Sequence, residues 1–258
     1  CFYAWAWWKT DQRLAQVWTI EGVDIPVPFP LTDAELETLR EERRAALPPD
    51  PTPSAEGADS EGTNPDSANP EGEATPLNAP EIEPPVDLLA EVDLDALALE
   101  RAIARGEHLV NAIYVCAECH GADLSGGLMI DSALMGTLLG PNLTSGAGSV
   151  TAEYASADWD RTVRHGIGRS GQALAMPSTD FMRMSDRELS DIIAYARSLP
   201  PVDNTVEPPS LGPLGTVLIA TGALPLSVDL IDHDREHLRY PPEEGPTAEY
   251  GEHLAAVC

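Results

Sequence analysis

Basic residues are scarce in this sequence of 258 residues. Lysine and arginine together number 15 against 43 aspartates and glutamates, and Lys9 is the only lysine. The resulting net charge of -28 argues against nucleic acid as a partner, because phosphates are bound through clusters of lysine and arginine. The acidic balance instead favours basic partners or high solubility.

Cysteines and long apolar runs are also scarce. The cysteines, at positions 1, 116, 119 and 258, lack the spacing of the disulfide framework found in small secreted proteins. The apolar stretches at residues 1–8 and 214–226 are each too short to cross a bilayer, which takes about 20 apolar residues. Glycine and proline interrupt the second stretch, so we expect a small amphipathic segment packed on a neighbouring part of the chain.

The sequence has no initiating methionine and begins with an aromatic octet, residues 1–8, followed directly by Lys9 and Arg13. An aromatic cluster beside charged residues is typical of a membrane-spanning helix where it reaches the lipid–water interface. Residues 1–8 are therefore predicted to be the end of a membrane anchor. Two alternatives remain open: Cys1 could be a lipid-modified amino terminus, or the octet could pack on the protein itself.

Composition divides the rest of the chain into four segments: 9–46, 47–93, 94–202 and 203–258. The first is a predicted juxtamembrane segment with a short helix, opened at Thr32 by a capping box with Glu35. The second is rich in proline and acidic residues and buries too little apolar surface to offset its ordering entropy. It is therefore predicted to be a disordered acidic linker, and the third segment is the predicted folded domain.

Three helices are predicted in the folded domain, over residues 94–116, 156–163 and 186–198. In the first, apolar residues recur at three- and four-residue steps, which indicates an amphipathic helix. The third opens with a capping-box pattern of Ser185 and Glu188 and ends at Pro200. The segment is thus predicted to be an all-α domain with long loops.

The pentapeptide Cys116-Ala-Glu-Cys-His120 carries the clearest chemical signal in the sequence. Two thiols at this spacing add across the vinyl groups of haem, and the adjacent imidazole is thereby delivered to the iron. A zinc site would need a second pair of ligands, and Cys1 and Cys258 have no partner at ligand spacing. The motif therefore predicts covalent haem c on Cys116 and Cys119, with His120 as an iron ligand.

The opposite face of the iron needs a second ligand if the protein transfers electrons. Met176 is the favoured candidate, because the residue before Pro177 is held out of helical conformations and a stiff loop suits a metal ligand. The alternatives are Met129, Met135, Met182 and Met184, of which the last two are better explained as packing residues. The remaining histidines are interpreted as surface or loop residues: His108, His165, His233, His237 and His253. His165 is the one that could contact a haem propionate.

Six short motifs together point to a known family: Gly106-Glu-His-Leu109, Cys116-Ala-Glu-Cys-His-Gly121, Gly140-Pro-Asn-Leu-Thr144, Arg164-His-Gly-Ile-Gly168, Met176-Pro-Ser178 and Ile193-Ala-Tyr-Ala-Arg-Ser-Leu-Pro200. On these motifs, residues 94–202 resemble a class I cytochrome c domain of the kind found in membrane-anchored multi-haem bacterial cytochromes. The resemblance implies a class I cytochrome c fold, with few helices around a covalent haem.

The resemblance also assigns roles to residues outside the haem motif. In such domains the first and last helices cross where a small residue faces an aromatic one, and Gly106 and Tyr195 match those positions. Pro141 matches the family's loop proline, whose carbonyl accepts a hydrogen bond from the ring of the iron-ligating histidine. That bond fixes the imidazole tautomer and strengthens the ligand.

The end of the sequence repeats the approach to the haem motif. Gly251-Glu-His-Leu254 duplicates Gly106-Glu-His-Leu109, and Val257-Cys258 duplicates Val115-Cys116. Repetition of this kind signals a repeated domain. Residues 203–258 are therefore predicted to be a linker and the start of a truncated second cytochrome domain, with Cys258 the first residue of a second haem site.

The expected function is electron transfer without catalysis of bond chemistry. The resemblance implies a bacterial protein that is anchored by its amino terminus and works on the periplasmic side of the membrane. Its expected partners are a membrane-bound redox complex, a soluble electron carrier, or both. Two alternatives remain: the cytochrome subunit of a dehydrogenase or peroxidase complex, and a haem-based sensor with a displaceable methionine.

Overall fold

The computed structural model describes residues 1–47 and 87–257. The chain falls into two compact units, one formed by Cys1–Pro30 with Asp93–Cys258 and the other by Leu31–Val92. Residues 48–86, most of the predicted acidic linker at 47–93, and Cys258, the predicted first residue of a second haem site, lie outside the described residues, so both of these stay predictions.

The described residues form eight α-helices and a three-stranded sheet. The helices are α1 (Phe2–Leu14), α2 (Asp33–Ala46), α3 (Leu94–His108), α4 (Cys116–His120), α5 (Ser156–Val163), α6 (Asp186–Ser198), α7 (Pro213–Thr221) and α8 (Ala248–Ala255). The strands are β1 (Gly127–Ser132), β2 (Gly136–Gly140) and β3 (Ser210–Leu211). The helices predicted at 32–46, 156–163 and 186–198 are confirmed.

The unit Leu31–Val92 contains α2, which begins with the predicted capping box. The backbone N–H of Glu35 donates to Thr32 Oγ1 at 3.2 Å, and the backbone N–H of Thr32 donates to Glu35 Oε2 at 2.8 Å. Two of the amide donors at the start of the helix are satisfied in this way.

In the larger unit, α3 and α6 cross at Gly106, as the family resemblance implied. A Cβ atom on Gly106 would lie 2.0 Å from the carbonyl oxygen of Asp191 and 2.7 Å from Cβ of Tyr195. Only glycine lets the two backbones approach this closely. Arg105 Nε and Nη2 donate to the two carboxylate oxygens of Asp191 at 2.6 and 2.9 Å, which fixes the crossing.

Helix α6 is the centre of the hydrophobic core. Its residues 188–196 are all buried, and Leu189 and Ile193 have no exposed surface. Tyr114 and Phe181 pack against the same core, edge to face, with ring centroids 5.9 Å apart. The core therefore connects the helices to the loops that precede Cys116 and follow Met176.

The prediction of an all-α domain is only partly correct. The glycine-rich segment after the haem motif, which was expected to be a loop, forms an antiparallel hairpin. Strand β1 pairs with β2, with a register shift between Leu128 and Ile130, and β3 adds to β2 through Thr137 and Ser210. β3 comes from a segment about 70 residues further along the chain. Such pairing leaves little local trace in the sequence.

Helices α1 and α7 pack together within the larger unit. Ala6 is fully buried, and Thr10 Oγ1 donates to the carbonyl of Thr216 at 2.8 Å. The aromatic residues of α1 point outward, with exposed fractions between 43% and 61%: Phe2, Tyr3, Trp5, Trp7 and Trp8. The predicted packing of residues 214–226 on a neighbouring element is confirmed. None of the helices in the described ranges has the length and apolar character needed to cross a membrane.

Candidate haem site

The two cysteines and the histidine of the haem motif lie on the short helix α4. The chain reaches it from α3 through a π-helical turn at Leu109–Ile113 and then through Val115, whose backbone is left-handed with φ 45° and ψ 37°. The reversal at Val115 starts a new helix at Cys116 instead of continuing α3. Both thiols and the imidazole are thereby carried on a single turn.

The ring of His120 is oriented by Pro141. His120 Nδ1 lies 2.9 Å from the carbonyl oxygen of Pro141, and because a carbonyl can only accept, Nδ1 carries the proton and Nε2 keeps its lone pair. Burial lowers the pKa of His120, although the bond to Pro141 opposes the shift. The side chain is therefore a neutral imidazole with one free nitrogen, which is the form that binds a metal.

The hairpin closes on the haem motif through two glycines. A Cβ on Gly140 would lie 2.0 Å from the carbonyl oxygen of Cys119 and 3.1 Å from Cα of His120, and a Cβ on Gly127 would lie 2.5 Å from the same oxygen. Gly127 and Gly140 are partners across the hairpin. The sheet that the sequence did not predict is therefore the wall that supports α4.

The two cysteines of the haem motif are both free thiols. Cys116 and Cys119 are not bonded to each other. Burial raises the pKa of Cys116 to about 12, and burial followed by the charge of Glu118 raises the pKa of Cys119. Burial thus favours the protonated form of both thiols.

Met176 lies in a loop that the surrounding residues hold in place. Its carbonyl oxygen accepts hydrogen bonds from the backbone N–H of Ser178 and from Ser227 Oγ, both at 2.8 Å. Its side chain is partly buried and packs against the core cluster, as Cys116 also does. The role of Met176 as an iron ligand remains a prediction.

The other methionines lie in different surroundings. Met184 is 1% exposed and belongs to the core, which confirms its interpretation as a packing residue. Met129 lies on β1 and is 38% exposed. Met135 is in the hairpin turn, and its carbonyl oxygen accepts from the N–H of Gly212 at 2.9 Å.

The residues around the motif fit a bound haem c. Cys116 and Met176 both pack against the core cluster, which supplies large apolar side chains: Tyr114, Leu124, Trp159 and Phe181. Trp159 Nε1 is buried and has no hydrogen-bond partner among the described residues. A buried donor of this kind suits an acidic group such as a haem propionate.

Comparison with known families identifies this region. A family model described as "Cytochrome C oxidase, cbb3-type, subunit III" matches residues 101–195, a span that includes the haem motif, Pro141 and Met176. Residues 101–195 form a c-type cytochrome domain. A domain of this family carries haem c.

Individual relatives share this cytochrome domain. The gluconate 2-dehydrogenase cytochrome c subunit of Pantoea cypripedii is 31% identical over 107 residues, which is 39% of this chain and 24% of the relative. The cytochrome c subunit of a quinone-dependent alcohol dehydrogenase from Gluconacetobacter polyoxogenes is 36% identical over 86 residues, or 31% of this chain and 18% of the relative. A diheme cytochrome c-type protein of Cereibacter sphaeroides is 30% identical, over 37% of this chain and 36% of the relative.

The chain thus spans a quarter or less of the length of the two dehydrogenase subunits that it matches.

The sequence interpretation missed a cluster of buried polar side chains in the cytochrome domain. His165 lies in the turn after α5, but it is not a surface residue, since it is 4% exposed. It stacks on His233 at a centroid distance of 5.2 Å and meets His237 edge-on at 5.8 Å. In the sequence, the one signal of this histidine cluster was the four-residue spacing of His233 and His237. His108 lies outside the cluster and is exposed, as predicted.

Proposed function

We propose that this chain is a haem c electron carrier that passes single electrons and catalyses no bond chemistry itself. The observation that carries the proposal is the Cys-x-x-Cys-His helix, in which the Pro141 carbonyl leaves His120 Nε2 free as a ligand. When bound, haem c supplies an iron that alternates between the ferrous and ferric states.

The side chains of the domain have distinct parts in this function. Cys116 and Cys119 would tether the haem, and His120 would ligate the iron through Nε2, with its tautomer fixed by the Pro141 carbonyl. Met176 would supply its thioether as the second iron ligand, from a loop that the hydrogen bond of Ser227 to the Met176 carbonyl holds in place. With His120 and Met176 both retained as ligands, the structural change between the two oxidation states would be small.

In the second form of the proposal, the chain is the cytochrome subunit of a dehydrogenase complex. The dehydrogenase is then the electron donor. Support comes from the relatives, which are named as cytochrome c subunits of gluconate and alcohol dehydrogenases. The substrate would be oxidised on another subunit, and this chain would take the electrons onward to a membrane-bound complex or a soluble carrier.

We further propose that the protein is bacterial, works on the periplasmic side and is attached to the membrane at its amino terminus. The outward-facing aromatic side chains of α1 support the attachment, because tryptophan and tyrosine favour the membrane interface. Co-sedimentation of the full chain with lipid vesicles tests this. Binding that persists after all five aromatic residues of α1 are replaced by serine would contradict the role given to them.

Spectra and a redox titration of the haem-loaded chain test the carrier proposal. We expect a six-coordinate low-spin haem that takes up one electron reversibly and is unchanged by carbon monoxide. Met176→His should lower the midpoint potential, because methionine ligation favours the reduced iron relative to histidine. Met129→Leu, at an exposed methionine, should leave the potential unchanged.

Two results would overturn the carrier proposal. Carbon monoxide binding by the unmodified protein would indicate a displaceable ligand and hence a sensor. Turnover of peroxide by the isolated protein would indicate an enzyme.

A further inference from the structure

A second cluster of metal-ligating groups lies away from the haem motif. Among the described residues, Asp160, His165 and His237 bring one potential ligand atom each within 4.8 Å of one another. Asp160 is fully buried and His165 is 4% exposed. Asp160 Oδ2 lies 3.8 Å from His165 Nε2, too far for a hydrogen bond but close enough for a shared ion.

A chain of hydrogen bonds fixes which nitrogen of His165 faces Asp160. His233 Nε2 lies 2.9 Å from the carbonyl oxygen of Val228, so this nitrogen is the donor and leaves Nδ1 as the acceptor. His165 Nδ1 lies 3.0 Å from His233 Nδ1 and must therefore be the donor. The lone pair of His165 Nε2 is left facing the carboxylate.

Asp160 is held in position from two sides. Its Oδ1 accepts from Arg164 Nε at 2.6 Å, and its Oδ2 accepts from the backbone N–H of Val23 at 2.7 Å. Arg164 is fully buried and also donates to Asp186 Oδ1 at 2.9 Å. The two carboxylates of Asp160 and Asp186 therefore share one guanidinium, that of Arg164, and these three side chains together carry a net charge of -1.

His237 is the third member of the cluster, and its ring nitrogens lack hydrogen-bond partners in the part of the chain that the structure describes. Both ring nitrogens are buried, and neither has a hydrogen-bond partner among the described residues. A buried imidazole with two unpaired nitrogens is costly unless another group binds it. His237 also lines a cavity of about 200 Å³ that opens to solvent.

We propose that Asp160, His165 and His237 bind one divalent transition-metal ion, of which Zn²⁺ is the best match. Two imidazole nitrogens and one carboxylate oxygen are ligands that zinc accepts, at distances of about 2.0–2.2 Å, with water in the fourth position. His233 supports the site from outside, since a ligating histidine regularly donates its other N–H to a fixed acceptor. Ca²⁺ and Mg²⁺ fit poorly, because they take oxygen ligands.

The ion would connect two distant parts of the chain. Asp160 and His165 belong to α5 and the turn that follows it, whereas His237 belongs to the segment after α7 that leads to α8. Binding would therefore clamp that segment onto the cytochrome domain. Because the ion binds the folded chain only, it would also stabilise the fold.

Zinc binding by the full, tag-free, haem-loaded chain tests the proposal. After treatment with a chelator, the protein is titrated with Zn²⁺ against a competing indicator, and zinc and iron are counted by mass spectrometry of the elements. We expect one zinc per haem iron. X-ray absorption at the zinc edge should show two imidazoles and oxygen ligands.

Three variants give the test its controls. His233→Ala should weaken zinc binding about 10–100-fold, as loss of a supporting residue does, and His237→Ala should weaken it further. His108→Ala, at an exposed histidine, should bind like the unmodified protein. The haem spectrum of each variant shows that the domain is folded.

Two outcomes would overturn the proposal. One is a haem-loaded protein that binds no zinc beyond background. The other is a His237→Ala variant that binds zinc as tightly as the unmodified chain.

Discussion

Val115 is a strained residue immediately before the first haem-binding cysteine. Its backbone has φ 45°, in a region that β-branched residues rarely adopt, and its side chain is 48% exposed. Such a conformation costs about 1–3 kcal/mol. The strain persists because the chain must turn here to place Cys116, Cys119 and His120 on one short helix.

Replacing Val115 by glycine should therefore stabilise the haem-loaded protein. Relief of the strain outweighs the loss of about 0.5–1 kcal/mol from glycine's greater freedom in the unfolded chain, which gives a net gain of about 1 kcal/mol. Unfolding in urea measures the difference. Val150→Gly is the matched control, since Val150 is similarly exposed and has an ordinary backbone, so it should lose stability. If the Val115→Gly variant has a lower free energy of unfolding than the unmodified protein, the inference that Val115 is strained is wrong.

At the scale of elements, the sequence predicted α2, α3, α5 and α6, although α3 ends at His108 and does not continue to Cys116, and it predicted neither α4, α7 and α8 nor the sheet. α5 and α6 have clear apolar faces, and α2 and α6 carry capping boxes, which are all local signals. The hairpin has neither a strict alternation of apolar residues nor a short turn motif, and β3 is distant in the chain. Its existence depends on glycine backbones meeting Cys119, which is a tertiary contact.

Gly140→Ala tests the contact between the hairpin and the haem motif. The added methyl group would overlap the Cys119 carbonyl, so we expect a loss of about 1–3 kcal/mol in the free energy of unfolding. Gly251→Ala on α8 is the control, because its Cβ meets nothing within 4 Å. It should gain about 0.5–1 kcal/mol from helix propensity. Equal effects at both glycines would argue against the close packing.

Helix α8 is joined to α6 by a charged pair. His253 Nε2 lies 2.8 Å from Glu188 Oε1, and this hydrogen bond raises the pKa of His253. Burial raises the pKa of Glu188, but hydrogen bonds from His253 and Ser185 lower it overall. The histidine's contribution to stability is present below its usual pKa of 6.5 and is lost as the pH rises through the raised value. The carboxylate's contribution is lost only in acid.

The contribution of His253 to the free energy of unfolding should therefore decrease as the pH rises above 6.5. We expect the difference between the original protein and His253→Gln to be largest near pH 6 and to shrink towards pH 9. His108→Gln, at an exposed histidine, supplies the control and should show no such trend. A constant difference across this range would mean that the pair is not charged in the folded protein.

At the scale of the whole molecule, many of the contacts that stabilise the larger unit join segments that lie far apart in the sequence. Residues 17–29 lie along the cytochrome domain, where the backbone N–H of Val23 binds Asp160 and Ser190 Oγ donates to the carbonyl of Pro26 at 2.7 Å. The histidine cluster likewise joins residues about 70 positions apart. Backbone hydrogen bonds and side chains from such distant segments leave no pattern in the sequence. The pentapeptide at Cys116–His120 could be recognised because its three functional groups are contiguous.

Covalent haem at residues 116–120 is the central claim, and intact mass spectrometry of the full chain, produced with a cytochrome c maturation system, tests it most directly. We expect the mass of the polypeptide plus one haem, unchanged by acidic acetone, and we expect the haem to be lost in a Cys116→Ala, Cys119→Ala variant. A colourless polypeptide, or a haem that the solvent extracts, would contradict it.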